Sequence, residues 1–242
     1  RLRASEIADA YQKLAEQDLA RREFLTNIAH ELRTPLMVAG GYLHALKKGM
    51  LSGEQLQATV ETISRNVDQI VNLTNDILFL QEMDLVLPDF QPINMAHVVE
   101  NVITKYESKA KARGVSLKTK GNTKVSDIQG DQPSLERAVT ALIDNAIKFS
   151  PPNGSVEIRF SEENNHVKIT VADNGIGIAP EHLPRIFDRF FHLEKNGEEL
   201  YSGLGIGLSI TRQVIQQHRG TLEVESEIGK GSTFIISLLK WK

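Results

Sequence analysis

The sequence predicts two architectures in series: a helical hairpin that completes a dimeric four-helix bundle with a second copy of itself, then an α/β sandwich with helices over one face of a mixed sheet. Three observations carry that prediction. Apolar residues recur at alternating spacings of four and three through the first third of the chain, two prolines then interrupt the pattern, and beyond them short alternating strands are interleaved with amphipathic helices.

The first seam runs through Ile7, Tyr11, Leu14, Leu25, Ile28 and Leu32, with Asp18 and Arg21 as polar interruptions of the same register. A second repeats it at Leu56, Val60, Ile63, Val67, Ile70, Thr74 and Ile77. Between them, Gly49 suits a helix C-terminus, and Ser52 with Gln55 three residues on suits a capping box. Two helices alone bury one narrow stripe each, so a homodimer is expected. Residues 1–20 then form a coiled-coil linker, 21–86 the hairpin and 87–93, with Pro88 and Pro92, an interdomain linker. In residues 94–242 the expected order begins with a helix over 95–113, strands near 115–119 and 125–128 and a helix over 133–149. The hairpin "SVEIRFSEE"/"HVKITVAD", a helix near 206–218 and a closing pair, "TLEVESEI" and "STFIISLL", complete it.

Composition sets the outer limits. The chain has 242 residues, 40% of them hydrophobic and 24% charged, which suffices for a real core. A net charge of -3, from 28 Lys+Arg against 31 Asp+Glu, gives no footprint for nucleic acid. With no cysteine, disulfides, thiolate metal sites and thiol catalysis are excluded, in keeping with a reducing compartment. No apolar run approaches the roughly 20 residues of a membrane helix, so a soluble stretch without a membrane segment of its own is expected, the cytoplasmic part of a protein whose membrane anchor, if it has one, lies elsewhere.

Four stretches carry candidate chemistry. In "AHELRTPL" the register places His30 on the outer face of its helix, with Thr34 one turn on, Glu31 beside it, and Pro35 bending the helix just past it. A carboxylate next to an imidazole can hold one tautomer and accept its proton, leaving the other nitrogen nucleophilic. In "ALIDNAIKFS", Asn145 and Lys148 flank an apolar helix face; an amide oxygen can ligate Mg²⁺ and an ammonium can reach phosphate. In "VADNGIGI" a strand ends in Asp173, able to accept from an exocyclic amine, and Gly175 and Gly177 permit close approach of a ligand. In "GLGIGLSI", Gly203, Gly205 and Gly207 lead into a helix, as a phosphate cradle or a glycine linker would. The polar stretch "HLEKNGEELYSG" before it reads as a lid.

Taken in order, "FLTNIAHELRTPL", "LIDNAIKFS", "DNGIGI", "RIFDRFF" and "GLGIGLSI" resemble the H, N, G1, F and G2 boxes of sensor histidine kinases of two-component systems. The resemblance implies a dimerisation and phosphotransfer hairpin followed by a GHKL (Bergerat-type) ATP-binding domain. It implies ATP and Mg²⁺ as cofactors, His30 as phosphoacceptor, Glu31 as its activator and Thr34 as a residue of the reverse, phosphatase reaction. By the same resemblance, Asp173 reads adenine, Asn145 joins the Mg-phosphate network, Lys148 contacts phosphates, the second glycines support the lid, and Phe187 and Phe190 pack near it. The partner implied is the receiver domain of a response regulator. One position departs: many members have a second asparagine where this chain has Ala141. That departure keeps two alternatives in view, a nucleotide-binding dimeric scaffold and a GHKL ATPase that works by conformational change.

Overall fold

The computed structural model describes every residue except 1, 51, 52, 86, 87, 193, 196, 197, 200–204 and 242. The chain divides into two units, Arg1–Phe79 and Leu80–Lys242.

The first unit is built from two long helices, α1 (Leu2–Lys47) and the greater part of α2 (Glu54–Leu85). At ~1.5 Å per residue α1 is roughly 70 Å long, and it continues through Pro35 rather than stopping there. It ends as the glycine predicts. Gly49 is left-handed, its amide donates to Leu46 O at 3.0 Å and the amide of Met50 donates to Ala45 O at 3.1 Å, the paired bonds that close a helix on its last carbonyls. The capping residue expected at Ser52 lies outside the described residues. Pro35, Ala39, Thr59 and Leu73 are buried, whereas much of the seam stays open in the single protomer, Tyr11 at 70% and Val60 at 48% exposure.

The second unit is a five-stranded mixed sheet under three helices. In chain order its elements are β1 (Gln91–Ile93), α3 (Met95–Ala112), β2 (Ser116–Gly121), β3 (Ile128–Gly130), α4 (Gln132–Phe149), β4 (Ser155–Glu163) and β5 (His166–Asp173). The short pair β6 (Glu194–Lys195) and β7 (Glu198–Glu199) follows, then α5 (Gly207–Gln217), β8 (Thr221–Glu227) and β9 (Gly231–Leu239). The sheet order is β2-β4-β5-β9-β8; β2 joins β4 in parallel and every other pair is antiparallel. Period-two alternation sends one row of side chains to the helices. Ile158 faces Val171, Val171 faces Phe234 and Phe234 faces Val224, an apolar row across four strands. Against this face lie Leu135, Val139, Leu142, Ile143, Ala146 and Ile147 of α4, all at most 2% exposed. Asp131 starts α4 by accepting the amide of Ser134 at 3.0 Å on Oδ2.

Two segments differ from expectation. Residues 87–93, expected as linker, contain β1, which pairs antiparallel with β3, Pro92 opposite Gln129; a two-stranded edge tolerates a proline. The strand expected at 125–128 begins only at Ile128. Upstream, side chains satisfy the backbone instead: Asn94 Nδ2 donates to Val125 O at 2.9 Å and the Ser126 amide donates to the Glu162 carboxylate.

Candidate active site

The alternation that points Val167, Ile169 and Val171 toward the helices points Asp173 there too, so a carboxylate ends a buried row. Its Oδ1 accepts the amides of Gly175 at 2.8 Å and Ser232 at 3.1 Å. Burial raises the pKa of Asp173 above the ordinary carboxylate value, and the two amides pull it the other way. With Oδ1 committed, Oδ2 is the atom left to accept from a ligand amine.

The loop after Asp173 is pressed between the end of α4 and the β8–β9 turn. Ile176 N donates to Phe149 O at 3.3 Å, Ile178 N to Ser226 Oγ at 2.8 Å, and Gly229 N to Ile176 O at 2.7 Å. Gly177 has φ +70° and a Cβ there would lie 2.0 Å from Glu227 O; Gly231, across the turn, would bring one to 2.0 Å from Asp173 O. Only glycine lets these backbones meet. The roles of Ser232 and Gly231 escaped the sequence reading. The glycines of "GKGS" before the last strand were the available signal, legible only once β9 is known to lie beside β5.

The same packing brings Asp173, Gly175 and Gly177 to the C-terminal end of α4, where Asn145 and Lys148 sit three residues apart on one edge. Asn145 is half-buried and its amide bonds no described residue. Lys148 Nζ lies 5.0 Å from the Phe149 ring centroid. Neighbouring Asp144 is taken by Lys109.

The second glycine segment also reaches α4. A Cβ on Gly207 would lie 3.3 Å from Ala141 Cβ, one turn before Asn145. Among the described residues no side chain caps α5, whose N-cap is Ile206, so its first amides have no side-chain partner there. Phe190, left-handed at φ +64°, donates its amide to Gly205 O at 3.0 Å, tying the phenylalanine segment to the glycines. Arg212 stacks over Phe187 at 5.7 Å. Gly203 lies outside the described residues. Of the lid, the β6–β7 ladder is described, with Glu194 opposite Glu199.

No three His, Cys, Asp or Glu side chains converge on a possible metal position among the described residues. The chain's own donor here is the Asn145 amide oxygen, a hard ligand. That set fits Mg²⁺ arriving with phosphate oxygens and water, the usual habit of this ion, and not a metal held by protein alone.

In the first unit, His30 is exposed on α1 and its ring bonds no described residue; Thr34 is exposed one turn on, Glu31 is half-buried and Pro35 buried. The expected His30–Glu31 hydrogen bond is absent. Adjacent helical residues diverge by ~100° and do not face each other.

Residues 20–85 match the family described as His Kinase A (phospho-acceptor) domain, and residues 130–242 match Histidine kinase-, DNA gyrase B-, and HSP90-like ATPase. Among curated proteins, sensor protein SrrB of Staphylococcus aureus (strain N315) is 31% identical over 228 residues, 92% of this chain and 39% of SrrB. The chain thus spans about two fifths of the curated relatives it matches. Histidine kinase ThkA in complex with response regulator TrrA shares the fold at a TM-score of 0.75 and 22% identity, over 94% of this chain and 64% of that one. Acinetobacter baumannii histidine kinase AdeS does so at 0.68 and 22%, over 88% and 98%. No described helix is long and apolar enough to cross a membrane.

Proposed function

The chain belongs to the sensor histidine kinases, and on that premise we propose that it phosphorylates His30 from ATP and passes the phosphoryl group to an aspartate on a response-regulator receiver domain. One observation carries this reading: an exposed imidazole without a partner among the described residues shares a chain with a half-buried carboxylate whose second oxygen is left for a ligand.

Asp173 Oδ2 accepts the exocyclic amine of adenine, and the loop of Gly175 and Gly177 lets the base come close to backbone. The uncapped start of α5, with Gly205 and Gly207, donates amides to the phosphates. Asn145 would hold Mg²⁺ by its amide oxygen while Lys148 swings from the Phe149 ring to a phosphate. The ion, when bound, neutralises charge on the phosphates. A neutral His30 nitrogen bonds to the γ-phosphorus as the bond from phosphorus to the β–γ bridging oxygen breaks and ADP departs. The proton of the ring's other nitrogen passes to Glu31, after a rotamer change or through water. Catalysis is then positioning and charge neutralisation. Thr34, on the exposed face one turn from His30, orients a water for the reverse, phosphatase reaction. ATP as donor puts the reaction in the cytoplasm.

The open seam supports a homodimer that covers Tyr11, Leu14, Val60 and Val67. A structural neighbour solved with its response regulator supports the choice of acceptor. A second reading, a scaffold that holds nucleotide without transfer, is favoured by Ala141 alone, which leaves the α4–α5 contact with one amide fewer than many family members have.

The test is incubation with γ-labelled ATP. Label should appear on His30, be lost in acid and survive base, and be absent from His30→Gln. Undiminished labelling of that variant would overturn the assignment. Nucleotide binding without label across Mg²⁺ and Mn²⁺ would favour the scaffold.

A further inference from the structure

Helix α2 ends at Leu85, and the carbonyls of its last turn have no partner within the helix. Gln217 Nε2, at the end of α5, donates to one of them, Met83 O, at 3.0 Å. The next residue, His218, is buried with both ring nitrogens committed: Nδ1 lies 2.7 Å from Val214 O and Nε2 accepts the Asp131 amide at 2.9 Å. Only the neutral ring protonated on Nδ1 satisfies both contacts, and burial holds its pKa below the ordinary value. Phe90 meets the ring edge-on with centroids 5.0 Å apart. Leu80 and Met83 are buried and β1 is paired to β3. Every one of these residues belongs to the second unit.

These contacts lie at the far ends of the two helices that carry the phosphate-side residues. Asp131 begins α4, whose other end bears Asn145 and Lys148, roughly 20 Å along the axis; Gln217 ends α5, whose other end is Gly207. The two helices run antiparallel in contact, Ala141 beside Gly207 and Thr211 Oγ1 donating to Ala138 O at 3.3 Å.

We propose that Gln217 and His218 are positioning residues that fasten the last turn of α2 to α5 and to the start of α4, making phosphoryl transfer, but not nucleotide binding, depend on that fastening. The proposal rests on the kinase reading above. The last turn of α2 and the paired β1 are then clamped, and a displacement of the helix end is delivered as a unit to the residues that hold the phosphates. Loosening it dilutes the geometry in which the γ-phosphorus meets His30, at a cost to rate alone.

The test uses the whole chain with Gln217→Glu, nearly isosteric but without a donor for Met83 O, and Gln217→Lys, which restores one. Measured are the ATP dissociation constant, the rate of phosphohistidine formation at saturating ATP and the thermal midpoint. Gln217→Glu should label about fivefold more slowly with ATP affinity within about twofold of the parent, and Gln217→Lys should recover most of the rate. A Gln217→Glu rate equal to or above the parent's, a parallel fall in affinity, or no recovery in Gln217→Lys despite an unchanged midpoint would each overturn the proposal. If the parent chain itself forms no phosphohistidine, the kinase reading has failed instead.

Discussion

The two units solve burial in opposite ways. In the second, Ile143, Ile158 and Ile169 are fully buried and glycine lets backbones approach where any side chain would collide. In the first, a Cβ on Gly40, Gly41, Gly49 or Gly53 would meet nothing within 4 Å, and Leu14 and Tyr11 stay 62% and 70% exposed. One unit is a finished interior. The other is a surface awaiting its complement, because a two-helix seam removes too little apolar area from water to stand alone. The second unit encloses its glycine loops in a packed interior, whereas the first carries an exposed histidine on a long helix beside an open seam.

The largest effect should come from spoiling the complement. Val60→Glu combined with Val67→Glu puts four carboxylates into the proposed dimer seam, at about 1 kcal/mol or more each. The dimer dissociation constant should rise about a thousandfold in sedimentation equilibrium, with ATP affinity unchanged. A dimer of parental stability would mean that the seam faces something else. Next is the finished interior. Gly177→Ala forces a left-handed alanine whose Cβ would sit 2.0 Å from Glu227 O, whereas Gly229, also left-handed, has open space around it. Urea denaturation should show a loss of about 3 kcal/mol for Gly177→Ala and about 1 kcal/mol for Gly229→Ala. Equal losses would refute the close packing of the loop.

The smallest effect is a pH dependence confined to the second unit. The folded pKa of His218 is held below its unfolded value of ~6.5 by burial, while Asp131 and the Val214 carbonyl draw it up. The unfolded chain therefore binds the proton first. The ring's contribution is complete above that unfolded value and is lost as pH falls from there to the folded pKa. The parent should lose more stability between pH 7.5 and 5.5 than His218→Gln, which cannot titrate; equal losses would show that His218 is not the titrating group.

What was legible beforehand follows the same division. Periodicity marked both long helices and the β4–β5 and β8–β9 strands, because the pattern of a half-buried element is local. Gly49 told where α1 stops. Asp173 stood out as a polar end to an apolar run, but its anchoring by Ser232 needed the β5–β9 pairing. Ordinary-looking residues carried the least visible features: Gln217 lies 134 positions from Met83 and His218 lies 87 from Asp131, and such bonds exist only once α4, α5 and the end of α2 are assembled. Proline misled at Pro92, which marks a linker in the sequence but sits in a strand paired to β3. The adjacency of His30 and Glu31 in sequence likewise suggested a bond that the side chains do not make as they stand.

Measuring ATP affinity and phosphohistidine formation side by side in His30→Gln and Asp173→Asn tests the division of labour most directly. In Asp173→Asn the remaining carbonyl can still serve Gly175 and Ser232 while an amide donor faces the adenine amine. The account predicts that His30→Gln binds ATP like the parent and acquires no label, whereas Asp173→Asn binds about 10- to 100-fold more weakly and labels only when ATP is raised in proportion. Parental ATP affinity in Asp173→Asn, or ATP binding lost with the His30 ring, would contradict it.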